Sequence, residues 1–274
     1  MTRDDIAAAL RLCRLSGWNQ VEQDWSVFMQ LNPHGCRVAE KNGAVIGTMA
    51  TVPYQDRFSW IAMMLVDPRE RRTGIGTRLV REGLSLLSNQ RSIRLDATPV
   101  GRQLYSREGF QDEYPLARMA IDAGLNIPAD KNAKVRPMTE NDFSVVLQFD
   151  REVFGADREI LLRNLYERAP QYAVISRTSK LEGYCFGRPG YLYEQIGPIV
   201  TTREEIARNL ISHCLANLNG NSCVIDTPLH GSWIDWLLSM GFVDTRAFTR
   251  MYWGDKPDPG RPECIFGILG PEFG

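Results

Sequence analysis

The chain has 274 residues, 43% of them apolar and 24% charged, and 32 Lys and Arg offset 33 Asp and Glu to a formal net charge of −1. This length suits two domains of ordinary size, and the balanced charge gives no global electrostatic footprint for nucleic acid. No apolar run reaches a membrane-spanning length, the opening Met1-Thr-Arg-Asp-Asp-Ile6 is polar rather than leader-like, and the six cysteines form no Cys-x-x-Cys pair, with no histidine at metal spacing. The expectation is a cytoplasmic protein with reduced thiols, no metal, and neither nucleic acid nor membrane as a partner.

In chain order, residues 4–15 carry helical periodicity, and residues 24–31 follow with Trp25, Phe28 and Leu31 on one face. Residues 36–52 predict a hairpin turning at Asn42-Gly43, a dipeptide that accepts positive φ. The apolar run Trp60-Ile-Ala-Met-Met-Leu-Val66 predicts a buried strand stopped at Asp67-Pro68, because proline cannot donate a ladder bond. Next comes Arg71-Arg-Thr-Gly-Ile-Gly-Thr-Arg-Leu79, opening a helix to about residue 87. Gly74 and Gly76 carry no Cβ, so the N–H groups of Thr73, Gly74, Ile75, Gly76 and Thr77 can turn toward one anion, with Arg71 and Arg72 adding countercharge. A strand feeding a glycine loop that opens a helix is the arrangement that cradles a pyrophosphate, although the spacing matches neither a Walker loop nor the dinucleotide fingerprint. A strand at 93–97, a short helix at 101–108 and a strand at 110–121 complete a mixed α/β order.

The chain then repeats itself. Gly109-Phe-Gln-Asp112 followed by Arg118-Met119 is echoed by Gly241-Phe-Val-Asp244 followed by Arg250-Met251, with the same interval from Phe to Arg. Ile93-Arg-Leu-Asp96 is echoed by Cys223-Val-Ile-Asp226, and the start of the chain by Met138-Thr-Glu-Asn-Asp-Phe143. Residues 126–132 have linker composition, which predicts domains at 1–127 and 133–274. Residues 134–137 predict an opening strand for the second copy, and nothing upstream offers one to the first.

Arg71-x-x-Gly-x-Gly resembles the coenzyme A loop of the GNAT acetyltransferase superfamily, and Leu104-Tyr105-Ser-Arg-Glu-Gly109-Phe110 resembles the segment after that family's fifth strand. The two motifs and the element order cover most of residues 1–121. The resemblance implies two tandem domains of the α/β (α+β) class, each a mixed, mostly antiparallel sheet flanked by helices. It implies acetyl-CoA as cofactor, direct attack by an amine on the thioester in a ternary complex, and Tyr105 as the acid that protonates the departing thiolate. It also places a backbone donor for the thioester oxygen, and the pantetheine partner, at Met64, Leu65 and Val66. Thr98 stands where relatives often have an Asn contacting the cofactor. The usual base position is not filled by a carboxylate, which leaves Asp96 and Asp24 as candidates, and Asp96 recurs as Asp226. Trp18, Asn19 and Trp25 fall in the region that walls the acceptor cleft in the family, although tryptophans at helical spacing equally serve a core.

In the second copy the loop is replaced by residues 198–208, without glycine and with Glu204 and Glu205 to repel a pyrophosphate, and Leu237 stands at the position of Tyr105. His213, His230 and the repeated Arg-Met pairs read as structural. The expectation is one active copy transferring acetyl to the primary amine of a small molecule. The degenerate copy would shape the cleft, stabilise its neighbour or mediate assembly as a homodimer. The alternatives are a protein amine, a longer acyl group, or a coenzyme A-binding regulatory module without turnover.

Overall fold

The computed structural model describes residues 1–122, 134–218, 220–256, 258 and 260–274; the linker expected at 126–132 and the domain limits at 127 and 133 lie outside them. After a 3-10 turn (Arg3–Asp5), α1 (Ile6–Leu15) and α2 (Glu22–Leu31) precede β1 (Arg37–Lys41) and β2 (Ala44–Tyr54). Their turn is Asn42-Gly43, with φ of 52° and 75°, the two positive values that a two-residue hairpin of this kind requires. β3 (Phe58–Val66), α3 (Ile75–Leu86), β4 (Ser92–Ala97), α4 (Pro99–Arg107) and β5 (Gln111–Ile121) complete the first copy.

The second copy runs β6 (Val135–Pro137), α5 (Glu140–Phe154), α6 (Glu159–Arg168), β7 (Val174–Arg177), β8 (Leu181–Arg188), β9 (Glu194–Thr201), α7 (Glu204–Leu215), β10 (Cys223–Pro228), α8 (Gly231–Ser239) and β11 (Val243–Gly254). It then adds β12 (Ile265–Gly267). β6 is the opening strand expected at 134–137 and pairs with β7. Among the described residues no strand precedes α1, so β1 is left as an edge of the sheet.

The two copies do not keep separate sheets. One 12-stranded sheet runs β1-β2-β3-β4-β11-β5-β10-β9-β8-β7-β6, with β12 beside β9. Each copy has donated its last strand to the other: β11 pairs antiparallel with β4, and β5 with β10. β5 and β11 then pair with each other from Gln111 to Ala120, so the exchange leaves no unpaired strand edge at the middle of the molecule. The repeated residues therefore meet across copies. Arg250 lies opposite Asp96, and Arg118 opposite Asp226, each guanidinium gripping both carboxylate oxygens at 2.8 Å. Each arginine also donates at 2.6 Å to a tyrosine hydroxyl, Tyr114 for Arg250 and Tyr193 for Arg118.

Three cores cover the sheet. Side chains of α1, α2, α5 and α6 pack into one core shared by both copies, with Trp25, Phe28, Phe154 and Phe186 among its wholly or almost wholly buried members. Residues of α3 and α4 form a second core with Met251, and residues of α7 and α8 a third with Met119. Each outer core thus contains a residue from the other copy's exchanged strand.

Candidate active site

β3 and β4 are parallel neighbours at Ser59–Ile93 and Trp60–Arg94 and diverge beyond that point. β3 also carries a bulge, because its pairing with β2 jumps from Ala50–Ala62 to Thr48–Leu65. At the bulge Met63 has φ of 54°, and the Thr48 hydroxyl donates to its carbonyl at 2.8 Å. Trp60 and Ala62 face the shared core, and so do Met63 and Leu65, so the inserted residue reverses the alternation of the strand. Met64, Leu65 and Val66 in consequence line a cleft of about 780 Å³ between the diverging strands.

The loop that closes the cleft begins at Asp67. Its N–H bonds to Ile46 O at 2.8 Å, and its carboxylate accepts from the Arg69 N–H at 3.0 Å, from the Arg69 guanidinium at 3.1 Å and from Arg11 at 2.9 Å. Those bonds from Arg69 and Arg11 hold the Asp67 carboxyl well below the usual carboxylate range. Gly74 caps α3 with φ of 87°, a left-handed conformation that a side chain would strain. The first α-helical bond runs from Arg78 N to Gly74 O, which leaves the N–H groups of Ile75, Gly76 and Thr77 without intrahelical partners at the positive end of the helix dipole. Arg71 and Arg72 are exposed on the cleft and have no ion-pair partner among the described residues. The side chains of Thr73 and Ile75 turn into a separate groove beside Lys41 and Arg78, so these two offer the cleft only backbone groups. Free N–H groups, two guanidinium groups without ion-pair partners among the described residues and a splayed strand fit the phosphorylated thioester cofactor that the resemblance implies.

At its inner end the cleft meets a cavity of about 50 Å³, and Trp18, Met64, Asp96, Thr98, Tyr105 and Arg246 line both. Tyr105 is buried with its ring edge-on to Phe110 at 5.8 Å, and burial pushes its phenol above the ordinary value, so the hydroxyl keeps its proton. The Thr98 oxygen accepts from the Gly101 N–H at 3.2 Å as the cap of α4, which leaves its hydroxyl proton to donate.

The remaining expected residues divide. Asp96 borders the cavity, but its carboxylate is fully buried and clasped by Arg250, an arrangement suited to holding strands together rather than to taking up a proton. Burial pushes its carboxyl up and Arg250 opposes this. Asp24 lines neither the cleft nor the cavity. It is the counter-ion of Arg168, at 2.7 Å, and of Arg188; burial disfavours its charge, yet the two arginines hold its carboxyl below the ordinary value. Trp25 is buried in the shared core and lines neither space. Asn19 borders the cavity while its amide spans to the strap before β9, accepting from Leu192 N at 2.7 Å and donating to Tyr193 O at 2.9 Å.

Sequence reasoning missed Gln20, Arg118, Arg246, Phe248 and Glu272, which close the cavity. Arg118, Arg246 and Phe248 arrive on exchanged strands, and Glu272 on the segment after β12. That segment is tightly held: Trp60 Nε1 donates to Pro271 O at 3.0 Å, the Tyr54 hydroxyl to Phe273 O at 2.6 Å, and Phe273 stacks on Phe28 at 4.5 Å.

The second copy has the same divergence, with β9 and β10 parallel only at Glu194–Cys223 and Gln195–Val224. Here β12 occupies it. β12 pairs with β9 at Ile199 and Val200, and the Ile268 N–H bonds to Asp226 O at 2.8 Å. The Ile268 carbonyl comes so close to Gly197 that a Cβ there would lie 2.0 Å from it. His230 Nε2 donates to Ile265 O at 3.0 Å and so helps fix β12. α7 starts directly after Arg203, without a glycine loop, and Leu237 is buried in the outer core. Among the described residues no cluster of three His, Cys, Asp or Glu could hold a metal, and no helix is long and apolar enough to cross a membrane.

A bulged strand splayed from its parallel neighbour, a glycine loop capping a helix, and a buried tyrosine across the cleft define a GNAT-type acyl-transfer fold. Models of the acetyltransferase (GNAT) domain match residues 32–112 and 146–267, one in each copy. The chain belongs to the GNAT acetyltransferase superfamily as a tandem protein, and it is an acyltransferase. It is 25% identical over 94% of its length to 87% of a holothin acyltransferase from Pseudoalteromonas sp. (strain SANK 73390). To the N-acetyltransferase YitH of Bacillus subtilis (strain 168) it is 26% identical, over 87% of this chain and 85% of that protein. A putative acetyltransferase from Pyrococcus horikoshii shares the fold over 100% of this chain and 94% of its own, with a TM-score of 0.82 at 23% identity. A tandem GNAT protein from the clavulanic acid biosynthesis pathway does so with a TM-score of 0.63 at 14% identity, over 93% and 96%.

Proposed function

We propose that the first copy transfers the acetyl group of acetyl-CoA to the primary amine of a small molecule. The observation that carries this reading is the meeting of a long, cation-rimmed cleft with a small, roofed cavity at Tyr105. When bound, the cofactor supplies an acetyl group activated as a thioester. The helix α3 N-terminus with Arg71 and Arg72 would hold its pyrophosphate, and Met64, Leu65 and Val66 would pair with its pantetheine arm and offer an N–H to the carbonyl oxygen. Tyr105, protonated at neutral pH, would return a proton to the departing sulfur. A roof built by Phe248, Pro271 and Glu272 favours a compact acceptor over a protein tail.

Calorimetric titration with acetyl-CoA, followed by thiol release with a panel of small amines, tests this. One cofactor per chain and amine-dependent thiol release are expected. Binding without release on any amine, unchanged by Tyr105→Phe, would favour a regulatory module instead.

A further inference from the structure

Beside the cavity beyond Tyr105, on residues that line it, are two side-chain oxygens that receive no hydrogen bond among the described residues. Gln20 is 7% exposed; its Nε2 donates to Glu272 Oε1 at 3.0 Å, and its Oε1, buried, has no hydrogen-bond partner. Glu272, 5% exposed, receives on Oε1 both Gln20 and Arg188, while no bond reaches Oε2 among the described residues. A buried acceptor without a donor is destabilising unless a ligand supplies one. Gln20 Oε1 is such an acceptor, and together with the unbonded Glu272 Oε2 of the neighbouring side chain it calls for a group with several N–H bonds.

The charges around Glu272 favour a cation there. Arg188 is shared between Glu272 and Asp24, and Asp24 has Arg168 as well, so Glu272 alone in this chain of charges keeps only part of a counter-ion. From the other walls Arg118 faces it already bound to Asp226, Asp96 is bound to Arg250, Tyr105 is neutral, and Arg246 stands at the mouth toward the cofactor cleft. About 50 Å³ holds a few waters, or an amino group with the first carbons that bear it.

The geometry points to Glu272 as the group that receives the acceptor as a primary ammonium and removes its proton, with Gln20 Oε1 sharing the ammonium's hydrogen bonds. This rests on the acyl-transfer reading above. One ammonium proton passes to the Glu272 carboxylate, freeing the nitrogen lone pair. The N–C bond to the acetyl carbon forms, and the C–S bond breaks with its electron pair on sulfur. Sulfur takes the Tyr105 proton, the second nitrogen proton replaces it on Tyr105, and Glu272 returns its own to solvent. The sum is ammonium plus thioester giving amide, thiol and one released proton. The acceptor class follows: an unhindered primary amine, charged at neutral pH, on an unbranched carbon. The base thus comes from the segment that follows the second copy.

The test uses the full chain, acetyl-CoA, and n-propylamine with branched and secondary amines as comparators. Glu272→Gln is expected to bind acetyl-CoA with unchanged Kd and to lose about 100-fold or more in kcat, with Glu272→Asp regaining part of it. Gln20→Leu, which keeps the carboxylate, is expected to raise KM for the amine about tenfold at constant kcat, and it serves if Glu272→Gln does not fold. Turnover of Glu272→Gln within threefold of the parent, or a parent that binds acetyl-CoA yet prefers secondary amines or accepts none, overturns the inference. A parent that binds no acetyl-CoA overturns the acyl-transfer reading itself, which the titration reports separately.

Discussion

Asp96 can be a strut or a base, and a double replacement separates the two. Its carboxylate, 0% exposed, is bonded twice at 2.8 Å to Arg250, itself 3% exposed, donating to Tyr114 and lying 4.7 Å above the Trp60 ring. Asp96→Asn leaves a buried guanidinium with one neutral partner where it had a carboxylate, and Arg250→Met leaves the reverse. Removing one member of a buried pair costs about 3–5 kcal/mol, whereas replacing both with apolar side chains of similar volume is often neutral. For a chain of this size that loss is on the order of 10 °C in Tm. The expected pattern is a large loss for each single variant, the same for Asp226→Asn in the mirror-image pair, and near-parental stability for Asp96→Leu with Arg250→Met. Calorimetry measures stability, and thiol release per folded molecule measures turnover. If the double variant folds like the parent but turns over 100-fold more slowly, Asp96 takes part in the chemistry and the strut argument is wrong.

Three further outcomes are expected. Tyr105→Phe should leave the acetyl-CoA Kd unchanged and lower kcat about 100-fold, most severely for amines whose attack makes sulfur departure limiting; unchanged kcat would remove Tyr105 from the chemistry. Gly74→Ala should lower stability by about 1–2 kcal/mol through its positive φ, while Gly74→Glu should in addition weaken acetyl-CoA binding at least tenfold; equal affinity for both variants would discard the phosphate loop. Because Asp67 has its carboxyl lowered in the folded state, it stabilises the fold fully above the unfolded value near pH 4 and loses this as pH falls further toward the folded value. Asp67→Asn should therefore lower stability at pH 7 and flatten its decline between pH 5 and 2, as urea unfolding would show; an unchanged slope would refute it.

The sequence made visible what is local. Asn42-Gly43 names its turn because both residues tolerate positive φ, and Gly74 announces its loop for the same reason. Met63 does not, since nothing in a methionine signals the left-handed backbone of the bulge that aims the strand at the cleft. The repeat was legible as two sets of matching residues, but not that Asp96 would find its arginine in the other set: an ion pair formed across exchanged strands leaves no spacing rule in the chain. Glu272 and Gln20, the acceptors in the cavity, are separated by most of the sequence and meet because the segment after β12 threads back into the first copy's core.

β12 gives that threading a wider meaning. A strand pair that splays must have its inner backbone groups satisfied, and the duplicated fold answers the same requirement in two ways. One copy does it with β12, a segment of the same chain, so the pairing is intramolecular and independent of any ligand's concentration. In the other, on the proposed reading, the strands would stay available to a molecule that comes and goes. On the proposed reading, a ligand in the first copy would then be equivalent to an added strand, and β12 in the second copy shows such an addition made within the chain.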